Sequence, residues 1–507
     1  MAMRDGARGQ ARDRRAALRR RGWLAFITAV AAAAVLSMAA AALNVRADWT
    51  EDHRYTLSPA TLAVLDKLDE PLMIRAWVTR DLPQPYGQLR RFIGDMLAAY
   101  HEAGHGKVNY EVKDPGDDPN AAAALSALGV PRVQVQVVEN DRAQVKQGYM
   151  AVVVEYLNKK EIIPVVRGET GFEYLLTSKI RKITGKGRVK VGVVAGFGAR
   201  GLDRLQAFKR QVGEDYDLVE VHPDAGPVDK DVRTLIVAGF TKPPSRAMRK
   251  AIRAFVAGGG GLLALAGNAE PMLDRGFVVS PIDAKANAWL KEDFGVAVEP
   301  GLVMDPRASR INVNQRQGMF VFSSVVDYPF IPSVEGMNAA NPVTRGLRAV
   351  SVPFASPLEW AGETHGAILL ESSPMAAVQS GPPFDVNPLT PMRERFDGVQ
   401  RRAVRLALAP EEQRGRVLVV GSPAMLDDEF LGEENRVFVL NALDWLSGNE
   451  ALIGLRSRGV AARPLAPLDA GARAAWKAAW MLLPPLAVAI LGLWRWRRLR
   501  RMETRPA

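Results

Sequence analysis

Two uncharged stretches, each set against a cluster of arginines at one end of the chain, limit this fold more than any other feature. Trp23 to Val45 is 23 residues without a charge, rich in Ala, Val and Leu. A transmembrane helix needs about 20. Near the other end, Ala478 to Trp494 gives 17 uncharged residues. That is the lower limit for a span, and Lys477 extends it by snorkelling outward. Trp23 and Trp49 flank the first stretch, and Trp476, Trp480, Trp494 and Trp496 flank the second, as interfacial rings do. Pro484 and Pro485 predict a kink, which membranes tolerate.

The net charge of +12 sits almost entirely at the ends. Residues 1–22 hold eight Arg and two Asp (+6), residues 495–507 hold six Arg and one Glu (+5), and the 472 residues between carry +1. A neutral body excludes a nucleic-acid-binding surface as the source of the high pI, and the basic ends fit anionic lipids better than nucleic acid. The positive-inside rule puts both Arg clusters in the cytoplasm and the body outside it. A cleaved signal peptide is the competing reading of the first stretch, with Val45-Arg46-Ala47 as a passable cleavage site. The stretch exceeds the usual h-region, so an uncleaved anchor is expected. Arg20-Arg21 hardly resembles a twin-arginine signal. The chain has no Cys, which excludes disulfides, thiol catalysis and thiolate metal sites.

The expected organisation is a basic tail 1–22, a transmembrane helix 23–45, an α/β domain 50–185, a larger α/β domain 188–458, a linker 459–475, a second transmembrane helix 476–494 and a basic tail 495–507. In the first domain, Leu72–Val78, Val108–Val112 and Val133–Val138 read as strands. Met150–Tyr156 and Glu161–Val166 form a hairpin pattern around Asn158-Lys159-Lys160. Gln88–Tyr100 and Ala121–Leu128, capped by Asn120, read as helices. The order β-α-β-α-β-β predicts a thioredoxin-like domain without redox chemistry, and Glu173–Ile183 an amphipathic helix leading out of it.

In the second domain, Val189–Ala195, Leu218–Val221, Thr234–Ala238 and Leu262–Ala266 read as strands. Leu202–Val212 and Ser245–Val256 read as helices. The alternation predicts a parallel, doubly wound, flavodoxin-like sheet. Residues 271–360 read as irregular, and Pro374–Pro391 as a long loop. Sheet material returns at Ala367–Glu371, Ala403–Leu408 and Val417–Val420, before a helix at Val437–Leu446.

Two motifs carry chemistry on paper. His101-Glu102-Ala103-Gly104-His105 spells the zinc-protease string, in which two His on one helical face bind zinc and the Glu is general base. Gly104, Gly106 and the strand that follows predict instead that the helix ends here, leaving solvated His. Gly196-Phe197-Gly198-Ala199-Arg200-Gly201 has the dinucleotide-site spacing between a strand and a helix, with Glu220 where a ribose-binding acid would sit. Any tight βα turn needs glycine as well, and nicotinamide cofactors are scarce outside the cytoplasm. Gly258–Gly261 lacks the Lys-Ser/Thr of a phosphate loop, and Gly421-Ser422-Pro423 lacks a His partner for a nucleophilic Ser. Asp427-Asp428-Glu429 and Glu433-Glu434 lack EF-hand spacing and read as solvated acidic turns. The expectation is a non-enzymatic protein with no catalytic, metal or cofactor residues. A zinc hydrolase at His101, Glu102 and His105 and a nucleotide module at Gly196–Gly201 are the alternatives.

The chain resembles the GldG-like auxiliary proteins of ABC transport systems, named for gliding motility. The resemblance is carried by Arg54–Thr61 (RYTLSPAT), Val112–Pro115 (VKDP), Phe172–Ile180 (FEYLLTSKI) and the strand-turn Val193–Gly198. It continues through Gly415–Ser422 (GRVLVVGS), Asn441–Leu446 (NALDWL) and Ile453–Arg458 (IGLRSR). It implies an N-terminal membrane helix, an extracytoplasmic α/β body and a second membrane helix in a bacterial cytoplasmic membrane. Its implied partners are an ABC-type permease and a separate cytoplasmic ATPase. It also implies an amidotransferase-like second domain, whose chemistry requires a Cys that is absent here.

Overall fold

The computed structural model describes residues 56–449 with short breaks, Ile453, residues 470–503 and scattered positions between 23 and 35. These residues fall into two compact units that divide after Val460. The tail 1–22, most of 23–45 and most of the linker 459–475 lie outside the described residues.

Leu72, Ile74, Ala76 and Val78 are buried and alternate with half-buried neighbours, the period-2 pattern of strand β1 (Leu72–Val78). Before it lies α1 (Pro59–Leu65), where the Ser58 hydroxyl accepts the Thr61 N–H, a regular N-cap. Helix α2 (Leu89–Ala103) buries Leu89, Phe92, Ile93, Met96, Leu97 and Tyr100. It carries the chain across to β2 (Val108–Lys113), parallel to β1. After α3 (Ala121–Ala127) come β3 (Val133–Glu139) and β4 (Arg142–Gly148), which pair only with each other. Then β5 (Met150–Tyr156) runs antiparallel to β1, and β6 (Lys159–Ile163) antiparallel to β5. The sheet order is β2-β1-β5-β6.

Helix α4 (Phe172–Thr184) joins α1 and α2 over one face in a core with Ile74, Val152, Val154 and Phe172. On the other face, Leu125 and Val130 pack on Tyr149 and Ala151. One expectation changes. Val133–Val138 was to be a sheet strand, but it belongs to a separate hairpin whose partner, RAQVKQG, is too polar to read as a strand from its sequence.

Two stretches that carry the family resemblance dock on each other. The Glu173 carboxylate at the start of α4 accepts the Ser58 N–H at 2.7 Å and the Thr61 hydroxyl at 2.6 Å. Thr61 and Thr177 hydroxyls meet at 3.0 Å, and the buried Tyr100 hydroxyl lies against Thr177 and Glu173.

The second sheet begins with β7 (Val189–Val194), β8 (Tyr216–Val221), β9 (Val232–Ala238) and β10 (Gly261–Leu265). The connecting helices are α5 (Gln206–Val212) and α6 (Arg246–Ala257). An insertion follows, with β11 (Ala269–Pro271), β12 (Val279–Pro281), α7 (Ala288–Phe294), β13 (Val296–Val298) and β14 (Leu302–Met304). It goes on through β15 (Ala308–Gln317), β16 (Phe320–Glu335), β17 (Ala349–Ser351) and β18 (Leu358–Trp360). The chain then returns to the sheet through β19 (Gly366–Glu371), the short β20 (Ala377–Gln379), α8 (Met392–Arg395), β21 (Arg405–Pro410) and β22 (Val417–Val420), before α9 (Glu433–Leu446).

The strand order is β19-β21-β22-β10-β9-β7-β8. The five strands from β22 to β8 are parallel, β21 runs against them, and β19, antiparallel to β21, runs in their direction again. The expected all-parallel sheet is therefore mixed. Strand β21, returning from the insertion, joins β22 through the short connection 411–416, which needs no crossover helix. The five parallel strands are buried on both faces and read as continuous apolar runs. Helices α5 and α9 cover Val191, Leu263, Leu265 and Leu418, while α6 and α7 cover Leu235, Val237, Leu262 and Val419. The span 271–360, expected to be irregular, holds seven strands and part of an aromatic core. Five of these strands are three residues long and β15 is strongly polar, which hides them from periodicity, while the apolar β16 is broken by Pro329 and Pro332.

In the second unit, α10 (Ala470–Glu503) runs through Pro484 and Pro485. Among the described residues it is the one helix long and apolar enough to cross a membrane, over Gly471–Arg497 with mean hydropathy 1.5. Trp476, Trp480, Leu483, Leu491 and Trp494 on it are exposed.

Candidate functional site

In an open parallel sheet, ligands bind beyond the carboxyl ends of the strands, where the strand order reverses. Here β7 leads to β8 on one side and the chain then returns to β9 on the other, so that point lies beyond β7 and β9. The turn after β7 is tight: Gly196 and Gly198 have φ of +107° and +82°, and the Ala199 N–H donates to the Gly196 carbonyl at 2.8 Å. Phe197 between them has φ of +39°, a cost of about 1–3 kcal/mol for a bulky residue. Its ring rests on Phe240 at 5.4 Å.

The position beyond these strands is occupied by the protein's own Arg200, only 3% exposed. Its Nη1 donates to the carbonyls of Gly239, after β9, and Pro423, after β22. Its Nε lies 2.8 Å from Asp427 Oδ1, and Nη2 3.5 Å from Glu270 Oε1. Arg204 reaches the same Glu270 oxygen at 3.6 Å. A Cβ on Gly239 would fall on the guanidinium, and one on Gly198 would strike Thr241. Burial first, then Glu429 and Glu270, push the Asp427 carboxyl up to about 6, against the pull of Arg200 and Arg204.

The dinucleotide arrangement is therefore not formed at Gly196–Gly201. The helix expected from Leu202 starts at Gln206, and its Ala207 N–H is taken by the Asp428 carboxylate at 2.7 Å. Glu220 does lie beside Gly201, where it pairs with His222 at 3.2 Å. The acidic run 427–429 is solvated only in part: Asp427 is inside the Arg200 network, whereas Asp428, which caps α5, and Glu429 are exposed. Ser422 is fully buried and donates to the Pro353 carbonyl.

The zinc string is not assembled on one helix face. Helix α2 ends at Ala103, and His105 follows with φ of +46°. His101 stays on the helix, with Nδ1 against the Val108 carbonyl and its ring edge-on to Tyr110. Among the described residues no group of three or more His, Cys, Asp or Glu could hold a metal ion.

Beside the Arg200 network opens a pocket of about 300 Å³, lined by Phe277, Ile311, Tyr328, Ile331, Phe354 and Phe430, with Asn312 and Glu429. Phe354 has φ of +48° and is held by its N–H on the Phe330 carbonyl and by ring contacts to Tyr328 and Phe430. The Tyr328 hydroxyl donates to the Val386 carbonyl, so its ring faces the pocket with its polar end satisfied. One loop, 423–430, thus closes the crevice with Asp427, caps α5 with Asp428 and lines the pocket with Glu429 and Phe430. Neither the Arg200 network nor the aromatic pocket is marked by a sequence motif. Only the Arg inside the glycine turn hinted at the first.

Residues 188–453 match the model of a family described as an ABC-type uncharacterized transport system. Residues 51–155 match a domain of unknown function, DUF7088. An uncharacterized protein of Borreliella burgdorferi is 20% identical over 319 residues, which is 62% of this chain and 61% of that protein. Among solved structures, the mmIFT52 N-terminal domain superposes with a TM-score of 0.33 at 15% identity, over 51% of this chain and 97% of its own. A ThuA-like protein from Bacteroides uniformis gives 0.30 at 14% identity, over 52% and 93%.

Proposed function

The chain belongs to the ABC-type uncharacterized transport system family, whose model covers residues 188–453, and on that premise we propose that it is a non-enzymatic, membrane-anchored auxiliary subunit of such a system. Helix α10, with the segment 23–45, anchors it in a bacterial cytoplasmic membrane. Both Arg-rich ends lie in the cytoplasm and the α/β body in the periplasm. Its partners are an ABC-type permease and a cytoplasmic ATPase, and its basic tails meet anionic lipid rather than nucleic acid. The domains are taken as 50–185 and 188–458. The strand order β2-β1-β5-β6, with β5 antiparallel, supports a thioredoxin-like reading of the first. Parallel strands covered by helices on both faces support a flavodoxin-like reading of the second.

The observation that carries the non-enzymatic reading is the Arg200 plug. The crevice where a sheet of this kind would bind a cofactor is filled by a guanidinium bonded to two backbone carbonyls and two carboxylates. What stays open is the aromatic pocket, a shape suited to binding an apolar or aromatic group of a substrate or envelope partner. The test is capture of the full chain from detergent-solubilised membranes. Recovery of a permease and an ATPase is expected, and recovery of neither would count decisively against the role. Two cheaper measurements address the alternatives. Stoichiometric zinc in the purified protein would favour a hydrolase at His101, Glu102 and His105. A thermal shift with nucleotides would favour a site at Gly196–Gly201.

A further inference from the structure

The opposite end of the second sheet carries a different chemistry. Two adjoining pockets of about 380 and 440 Å³ share Arg233, Ser447 and Gly448 at the amino ends of the parallel strands. Together they are lined by eight basic side chains against three acidic ones, Glu214, Asp215 and Asp229. A body whose net charge is close to zero therefore concentrates a surplus of positive charge on one face.

Part of that charge is structural. Helices α4, α5, α6 and α9 all end here, and each carboxyl end carries about half a negative charge. Arg416 donates to the Trp445 carbonyl at 2.6 Å and lies over the Trp445 ring, and Arg188 donates to the Gly213 carbonyl. Lys179 and Lys182 share the Glu161 carboxylate. These duties do not use Lys230, Arg233 or Arg414. All three are exposed and have no ion-pair partner among the described residues. Four helix ends offset roughly two charges, so a positive surplus remains.

We propose that this face docks on the anionic phospholipid surface of the membrane that holds α10. The charge is complementary to such a surface, where each Lys or Arg strengthens binding about fivefold. The last helix of the body also ends here: Ser447, Gly448 and Asn449, just after α9, line the first pocket. Docking would turn the amino ends of the strands toward the membrane and leave the aromatic pocket, at the carboxyl ends, facing away from it. The inference rests on the reading of α10 as a membrane span.

The absence of Cys makes a clean test. Ala257, exposed at the end of α6 next to the Gly258–Gly260 wall of the second pocket, is changed to Cys and labelled with a donor dye. The full chain is reconstituted in nanodiscs containing acceptor-labelled lipid, either phosphatidylcholine alone or mixed with phosphatidylglycerol. A second label at Leu389→Cys, exposed in the insertion, reports on the body elsewhere. Energy transfer from position 257 should rise with phosphatidylglycerol and fall when salt is raised to about 1 M, where the Debye length is near 3 Å. It should be lost in Arg233→Glu/Arg414→Glu, while Arg233→Gln alone weakens docking about fivefold. Transfer that is equal in both discs, rises equally at 389, or survives charge reversal overturns the proposal. A chain that enters neither disc sinks the membrane-anchored reading itself. Entry into both without a phosphatidylglycerol response sinks the docking alone.

Discussion

The Glu173 carboxylate accepts the Ser58 N–H at 2.7 Å and the Thr61 hydroxyl at 2.6 Å, tying the first helix of the body to α4 across 115 and 112 residues. Ser58 and Thr61 are buried, so both donors lose water on folding and depend on this acceptor. Glu173→Ala is expected to cost about 2–3 kcal/mol, and Glu173→Gln, which keeps one acceptor but not the charge, about 1 kcal/mol. Urea unfolding checks both, with a lower midpoint and an unchanged slope. Equal stability of Glu173→Ala and wild type would show that these bonds contribute nothing net.

Asp427 gives a pH dependence of known sign. Burial holds its carboxyl near 6, above the unfolded value of about 3.9, so between these limits the folded chain binds the extra proton. Stability therefore falls as pH rises from about 4 to 6 and levels off above, by up to about 3 kcal/mol. Asp427→Asn cannot titrate. Its stability relative to wild type should improve by about 2 kcal/mol between pH 4.5 and 7, read by denaturant unfolding at both values. A constant difference would mean that the Arg200 pair, not desolvation, governs this carboxyl.

How much of this was legible in the sequence depended on whether the signal was local. The runs Val189–Val194, Val232–Ala238 and Val417–Val420 announce buried strands because both of their faces are covered. The helix read at Ser245–Val256 was equally plain, and in the structure Ser245 caps it as its hydroxyl accepts the Met248 N–H at 3.1 Å. The direction of β21 was not legible. Its apolar run says buried, not antiparallel, and only the returning insertion decides that. The site was less visible still. Asp427, Asp428 and Glu429 are adjacent acids with three different surroundings, set by Arg200, Ala207 and Phe430 from distant parts of the chain.

Gly198 should tolerate substitution poorly for two separate reasons. Its φ of +82° disfavours any side chain, and a Cβ would lie 2.0 Å from Thr241 Oγ1 and 3.0 Å from the Thr241 nitrogen. The loop after β9 cannot yield without moving the Gly239 carbonyl off Arg200. Gly198→Ala is expected to lose about 2–3 kcal/mol. Gly226, with ordinary φ and open space around it, should change by less than about 0.5 kcal/mol on the same substitution. Thermal unfolding of the two variants side by side tests the contrast, and similar losses would refute the crowding.

The orientation of α10 can be tested without the rest of the molecule. Leu486 and Ile490 lie near the middle of the apolar span and are exposed. Arg at the centre of a membrane helix costs about 2.5–3.5 kcal/mol by insertion scales. Leu486→Arg/Ile490→Arg should therefore stop the span from inserting, whereas Leu486→Ala should not. With the carboxyl end in the cytoplasm, green fluorescent protein fused after Ala507 fluoresces in the wild-type chain and in Leu486→Ala. In the double Arg variant that end stays in the periplasm, where the fusion is dark and an alkaline phosphatase fusion becomes active. A wild-type fusion that is dark with green fluorescent protein and active with phosphatase would reverse the orientation assigned to Arg495–Arg501.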